Sequence, residues 1–369
     1  MRVPALAWSG GGDSPPGRLA EVALEVERIE PAALVCPRLT VVCENAGVLL
    51  DRGDLRFDPR GGGGPAATAE HRREALAFGI VNTAYHAQRG LEALAGLLGR
   101  RLPPLVVRIG LHTAQRPGWG GGHYRLPAAE YSSLPEDEPP VATGEIHLGT
   151  GGRLVPLRGE RYLHSASHDP AIVLHELGHH LTRHTADFRV NRRRPPQAQA
   201  NLKTPLDEGT SDYVAAILLD TADIYGWHRA SVPPESPRRR CLAAPWTMAQ
   251  FVGGHLSDPH TDGTIWSAAL WSARTELGRR GVEAASFDAV VIRALDRVGS
   301  SADDLPVERA RQLRRRYALV LEAIVEEDAA QGGAFATVIE PVFASRGIVV
   351  GFGNDALHDR TLRGALVRS

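Results

Sequence analysis

The feature that most constrains this chain is the stretch from Asp169 to His184, DPAIVLHELGHHLTRH. Apolar residues recur in it at helical spacing, and Asp169 followed by Pro170 is typical of the first positions of a helix. The pattern therefore predicts a helix that carries His175 and His179. Because these two histidines are four residues apart, they lie on one face of that helix.

Two imidazoles on one helix face can bind the same zinc ion. Glu176 lies one step around the helix from His175, beside the metal rather than on it. That position suits a carboxylate that takes a proton from a zinc-bound water. A His-Glu-x-x-His pattern inside a capped helix with an apolar stripe thus predicts a catalytic zinc site more strongly than the five residues alone would.

A third ligand is expected, since catalytic zinc usually has three protein ligands and one open position. Residues 204–219, TPLDEGTSDYVAAILL, have the pattern of a second helix, entered through Pro205. Glu208 and Asp212 are four residues apart in it and face the same way. Glu208 fits the third ligand, and Asp212 fits a partner that accepts the free ring N–H of a ligand histidine.

The succession of VLHELGHHLT and DEGTSDY resembles the paired helices of the thermolysin-like and fungalysin-like zinc peptidases, the gluzincins. The resemblance implies Zn2+ as cofactor, His175, His179 and Glu208 as its ligands, Glu176 as general base, and Asp212 as the residue that orients His175. The later segment DPHTDGTIWSAALW is similar to the fungalysin segment in which a histidine stabilises the oxyanion. That similarity points to His260 as a second catalytic residue.

The same resemblance implies an edge strand beside the active site that pairs with extended substrate backbone, a general way to hold a peptide. The candidate strand consists of Thr143, Gly144, Glu145, Ile146 and His147. An ordinary edge strand with no substrate fits this stretch equally well.

The sequence departs from the family pattern between the two metal-binding helices. The family usually has a tyrosine there that helps to hold the oxyanion, whereas residues 181–207 contain none. We therefore expect catalysis to depend more on His260, or on another donor that the sequence does not identify.

The expected fold is α+β, a zincin-type catalytic domain with a mixed sheet and the His-Glu-x-x-His helix, followed by a mostly helical C-terminal subdomain. Residues 1–70 are predicted to be a small β-rich or leader region, 71–184 the N-terminal subdomain with the sheet and the zinc helix, and 185–369 the helical subdomain that carries the third ligand. Apolar spacing predicts C-terminal helices over 266–277, 287–298, 306–327 and 335–346.

Composition limits the partners. The formal net charge is −1, so bulk electrostatics favours neither a nucleic-acid nor a membrane partner. The sequence has no apolar stretch long enough to span a membrane and no signal peptide, which predicts a cytoplasmic protein, whereas the resembling families are mostly secreted. Three cysteines cannot form a disulfide framework.

The expected function is that of a zinc-dependent endopeptidase acting on a peptide or protein substrate. One alternative is a catalytically silent zinc-containing binding domain, which the missing tyrosine motivates. The other is an aminopeptidase of the same zincin class, although the Gly-x-Met-Glu-Asn segment that typically binds a free substrate amine is not present.

Overall fold

The computed structural model describes residues 1–9, 17–44, 50, 53–60, 67–111, 118–125, 144–151, 153–157, 160–195, 198–199, 203–253 and 258–350. The chain divides into two compact units, Met1–Glu92 with Pro103–His180 and Ala93–Leu102 with Leu181–Ser369. The strands of the described residues all belong to the first unit, and the second is helical. The predicted mixture of a mixed sheet and a mostly helical C-terminal part is confirmed.

The first unit contains a six-stranded mixed sheet and two separate strand pairs. The sheet has the strand order β3-β4-β5-β6-β8-β7, with β3 (Arg28–Glu30), β4 (Ala33–Cys36), β5 (Leu39–Cys43), β6 (Leu105–Ile109), β7 (Gly122–Arg125) and β8 (Glu145–Leu148). The antiparallel pairs are β1 (Arg2–Ser9) with β2 (Arg18–Glu25), and β9 (Arg153–Leu157) with β10 (Glu160–His164). Strand β6 is parallel to both β5 and β8, and the other neighbours in the sheet are antiparallel.

Helix α1 (Ala69–Leu98) lies between β5 and β6 in the chain. Parallel neighbours require a crossover connection, and a helix is its usual form. Alternate residues of β6 are buried, as the period-two geometry of a strand requires when one face meets a core. Fully buried core residues of this unit include Val41, Phe78, Ile80, Val81 and Val107.

Residues 1–70 lie in the first unit together with residues that follow them. Strand β5 pairs with β6, so residues 39–43 share a sheet with residues that follow α1. The N-terminal strand is also tied to α1, because Asn82 accepts the backbone N–H of Trp8 at 3.0 Å and donates to the Ser167 carbonyl at 3.0 Å.

Helix α2 (Pro170–His184) begins where the sequence predicts. The side chain of Asp169 accepts the backbone N–H of Ala171 at 2.9 Å, which satisfies one of the donors that a helix start leaves open. The boundary between the two units falls within this helix, after His180.

The second unit contains α3 (Pro205–Leu219), α4 (Pro259–Arg279), α5 (Ala284–Ser300), α6 (Val307–Leu313), α7 (Tyr317–Ala330) and α8 (Ala336–Ser345). The single helix predicted over 306–327 is wrong, since the structure has two helices there. Arg314 lies between them with its side chain buried, where it donates to Asp303 at 2.7 Å and to the carbonyl of Gly299. The apolar spacing continues through this break and therefore did not reveal it.

Helices α3 and α4 approach each other until their backbones touch. A Cβ added to Gly209 of α3 would lie 2.3 Å from the Gly263 carbonyl oxygen, and one added to Gly263 of α4 would lie 2.6 Å from the Pro205 carbonyl oxygen. Only glycine leaves room for this crossing. The first turns of the two helices consequently lie side by side.

Cys36, Cys43 and Cys241 are free and buried. Burial raises the pKa of the Cys36 thiol to about 12 and also raises the pKa of Cys241.

None of the helices in the described residues combines the length and the apolar character needed to cross a membrane.

The glycine crossing predicts opposite effects for two alanine substitutions in α4. Gly263→Ala forces its methyl against the Pro205 carbonyl and should lower the free energy of unfolding by about 1–3 kcal/mol. Gly278 is exposed with nothing within 4 Å of an added Cβ, so Gly278→Ala should raise that free energy by up to about 1 kcal/mol. Urea denaturation of both variants measures the difference, and equal unfolding midpoints would contradict the crossing.

Candidate metal centre

Helix α2 presents His175 and His179 together, as predicted. Both side chains are buried, and their rings meet edge to face with centroids 4.8 Å apart. The capped start at Asp169 and the four-residue spacing fix the direction in which both imidazoles point.

Glu208 lies in the first turns of α3 and is fully buried. The helix is held at its start by Thr204, whose side-chain oxygen accepts the Asp207 backbone N–H at 3.4 Å. One ligand atom each from His175, His179 and Glu208 lies within 4.8 Å of the other two. The structure thus brings together the three residues that the sequence predicts as ligands.

This donor set suits a divalent metal ion. Two imidazole nitrogens and one carboxylate oxygen are ligands that bind divalent transition metals. A buried carboxylate is costly unless a cation or hydrogen bonds compensate its charge. A cation held beside the two imidazoles would compensate the buried charge of Glu208, in addition to the ammonium of Lys203 at 3.8 Å.

Glu176 lies next to His175 and is 4% exposed. Its Oε2 atom is buried and has no hydrogen-bond partner among the described residues. The backbone of Gly122 in β7 passes close by, since a Cβ there would lie 2.9 Å from both Cγ and Oε1 of Glu176. A carboxylate oxygen in this state destabilises the fold, so its burial is better explained by chemistry than by stability.

His260 lies against the predicted third ligand. Its Nε2 is 3.1 Å from Glu208 Oε2, and its Nδ1 is 2.7 Å from Asp258 Oδ1. Asp258 also caps α4, accepting the backbone N–H of His260 at 3.1 Å. Burial, together with the nearby charge of Arg240, lowers the pKa of His260 more than the carboxylates of Glu208 and Asp258 raise it.

Asp212 faces the same way as Glu208, but its carboxylate also holds a cation that the sequence did not reveal. Arg240 binds it in a bidentate pair, with Nη2 at 2.6 Å from Oδ1 and Nε at 3.0 Å from Oδ2. Tyr225 donates its hydroxyl to Oδ1 at 3.3 Å, and its ring lies 4.7 Å below the guanidinium of Arg240. The predicted contact between Asp212 and His175 stays a prediction.

Burial by itself lowers the pKa of Arg240, but the charges of Asp212, Tyr225 and Glu208 and the hydrogen bond to Asp212 together outweigh burial and raise the pKa overall. Arg240 has a left-handed backbone with φ 58°, which is uncommon for a residue other than glycine. A buried carboxylate such as Asp212 requires a buried cation. The need of Asp212 for a positively charged partner is the reason to consider the arginines that follow it in the sequence, Arg240 among them.

The predicted edge strand is wrong. Thr143 lies outside the described residues, and Gly144 precedes β8. Strand β8, which contains Glu145, Ile146 and His147, pairs with β6 on one side and β7 on the other. Its backbone is therefore not open to a further strand.

The side chains of β8 take part in an internal polar network. The carboxylate of Glu145 accepts from Arg108 at 2.9 Å and contacts His147 Nε2 at 3.1 Å. His147 Nδ1 lies 3.1 Å from Nε2 of His123 in β7. These residues bind one another across the sheet, and β7 is the terminal strand of the described sheet at this end.

The sequence matches no protein-family model, and no curated protein matches it either.

The bidentate ion pair between Arg240 and Asp212 predicts that removing the guanidinium lowers the free energy of unfolding strongly. Arg240→Met leaves the Asp212 charge buried without its main cation and should lower the free energy of unfolding by about 3–5 kcal/mol. Arg279 is 73% exposed and pairs with Glu276 on the surface, so Arg279→Met should change that free energy by less than about 1 kcal/mol. Denaturation of both variants in the presence of a chelator measures the difference. Similar losses in the two variants would contradict the assignment.

Proposed function

We propose that this chain is a zinc-dependent endopeptidase with a zincin-type, gluzincin-like catalytic site. The observation that carries the proposal is the cluster of His175, His179 and Glu208 next to the buried carboxylate of Glu176. Two imidazoles and one carboxylate form a known ligand set for catalytic zinc, and this set leaves a coordination position open.

Zinc in this site would lower the pKa of a bound water towards about 7 and polarise the carbonyl of the scissile bond. Glu176 takes a proton from the attacking water at its Oε2 atom and later delivers it to the leaving amine. His260, which Asp258 orients, lies beside Glu208 and is the predicted second catalytic residue.

The central test is Glu176→Gln. The amide cannot accept the proton, so kcat/KM on a quenched peptide should fall about 10²–10⁴-fold. Zinc content, measured by mass spectrometry of the purified protein, should stay at the wild-type stoichiometry. Glu92→Gln, an exposed change on α1, is the matched control and should leave both values unchanged.

Three outcomes would contradict the proposal. Full activity of Glu176→Gln would exclude this general base. Zinc-loaded wild-type protein that cleaves neither casein nor quenched peptides would favour the silent binding domain. Cleavage of peptides with a free amino terminus but not of their N-blocked counterparts would indicate an aminopeptidase.

A second prediction tests the position of β7. In Gly122→Ala the new methyl would lie 2.9 Å from Glu176 Cγ and Oε1, which displaces the carboxylate. A misplacement of the base by about 1 Å should lower kcat up to about 100-fold while zinc stoichiometry is retained. Gly53→Ala in the same unit has nothing within 4 Å of its Cβ and should retain full activity. Equal rates in the two variants would be evidence against the assigned position of Glu176.

A further inference from the structure

Lys203 is the sole lysine in a sequence whose lysines and arginines together number 42. It directly precedes Thr204, the cap of α3. Its ammonium nitrogen lies 2.9 Å from His260 Nε2 and 3.8 Å from Glu208 Oε1. The one ammonium group among the side chains therefore lies at the candidate metal centre, in contact with a ligand and with a predicted catalytic residue.

The hydrogen bonds around His260 determine which side chain can donate a hydrogen bond to a substrate oxygen. A charged lysine has three N–H donors and no acceptor, so its contact with His260 Nε2 requires a lone pair on that nitrogen. The ring proton of neutral His260 then lies on Nδ1 and points to Asp258 at 2.7 Å. In this tautomer His260 Nε2 accepts from Lys203 and makes no hydrogen bond to Glu208 Oε2, which lies 3.1 Å away, so the N–H donors at this place belong to Lys203.

Building on the proposed peptidase function, we propose that Lys203 is a catalytic residue that donates an ammonium N–H to the scissile carbonyl oxygen as negative charge develops there. His260 and Asp258 hold the ammonium in place. Lys203 is thus the additional donor that a chain without a tyrosine between its metal-binding helices requires.

The charge of the site favours such a role. A divalent cation held by His175, His179 and Glu208 would repel the ammonium of Lys203, and negative charge developing on a substrate oxygen would relieve that repulsion. The interaction is therefore stronger in the transition state than with bound substrate, which is the condition for an effect on kcat. The side chain is 41% exposed, so a substrate carbonyl would meet the ammonium where His260 holds it.

A lysine suits this position better than an arginine. The planar guanidinium of arginine binds carboxylates through two parallel hydrogen bonds, and at this place it would compete with a metal ion for Glu208. An ammonium is a compact point charge that contacts one oxygen or nitrogen at a time. This difference gives a physical reason for one lysine in a chain that otherwise uses arginine.

The test compares Lys203→Met and Lys203→Arg with wild-type protein, all as the full zinc-loaded chain. Lys203→Met should lower kcat on an N-blocked quenched peptide about 10- to 100-fold, with KM changed by less than about threefold. A phosphinic peptide, which mimics the tetrahedral oxyanion, should lose affinity by the same factor as kcat/KM. Lys203→Arg should recover only part of the loss, because its charge is retained and its geometry is not.

Two readouts do not depend on activity. Zinc affinity, measured by competition with a chromogenic chelator, should be unchanged or higher in Lys203→Met, because a cation next to the ligand is removed.

Since Lys203 is the sole lysine, an acetylating ester modifies a single side-chain amine. The phosphinic peptide should protect that amine from acetylation in zinc-loaded wild-type protein, as measured by mass spectrometry.

Three results would overturn the role of Lys203 while leaving the proposed function intact. These are wild-type kcat in Lys203→Met, a loss confined to KM for substrates with acidic side chains, and a parallel loss of zinc affinity, which would indicate a role in building the site. A wild-type protein that binds zinc and hydrolyses no peptide would refute the proposed function itself, and the role of Lys203 with it.

Discussion

The contact between Gly209 of α3 and Gly263 of α4 is the constraint on which the second unit's part of the candidate site depends. Because the two backbones touch there, the preceding turns of both helices run alongside each other. Glu208 directly precedes the first glycine, and His260 lies one turn before the second. The 3.1 Å contact between Glu208 and His260 follows from this crossing. The packing of the two helix backbones thus determines where two of the predicted functional side chains lie.

Three buried carboxylates of the candidate site differ in how far their charges are compensated. Asp212 has a buried guanidinium, Glu208 lies among candidate metal ligands and an ammonium, and Glu176 Oε2 has no hydrogen-bond partner among the described residues. Each buried charge costs free energy that apolar residues of the same size would not. A fold that retains all of them gives up stability for a site with strong local electrostatics, as is typical of functional centres.

Helix spacing and capping patterns in the sequence predicted the parts of the candidate site whose geometry is determined within one helix. Spacing within a few turns predicts the helix that carries His175 and His179, its cap at Asp169, and the position of Glu208 as the fourth residue of α3. Those features were confirmed because helix period and capping chemistry act over four residues or fewer.

The features that sequence reasoning missed depend on partners far apart in the chain. Strand β8 has the pattern of an edge strand, but β7 covers it, and strand pairing is not encoded in alternation. Arg240 reaches Asp212 across 28 residues, and Lys203 reaches His260 across 57. The break between α6 and α7 was missed for a similar reason, since the inward turn of Arg314 depends on a carbonyl at Gly299.

The buried thiols have a consequence for the choice of metal ion. Cysteine binds soft metals and reacts with oxidants as its thiolate, and a pKa of about 12 keeps Cys36 protonated in neutral solution. Cys241 is shifted in the same direction. Copper(I) and other soft ions thus find little thiolate at these two residues.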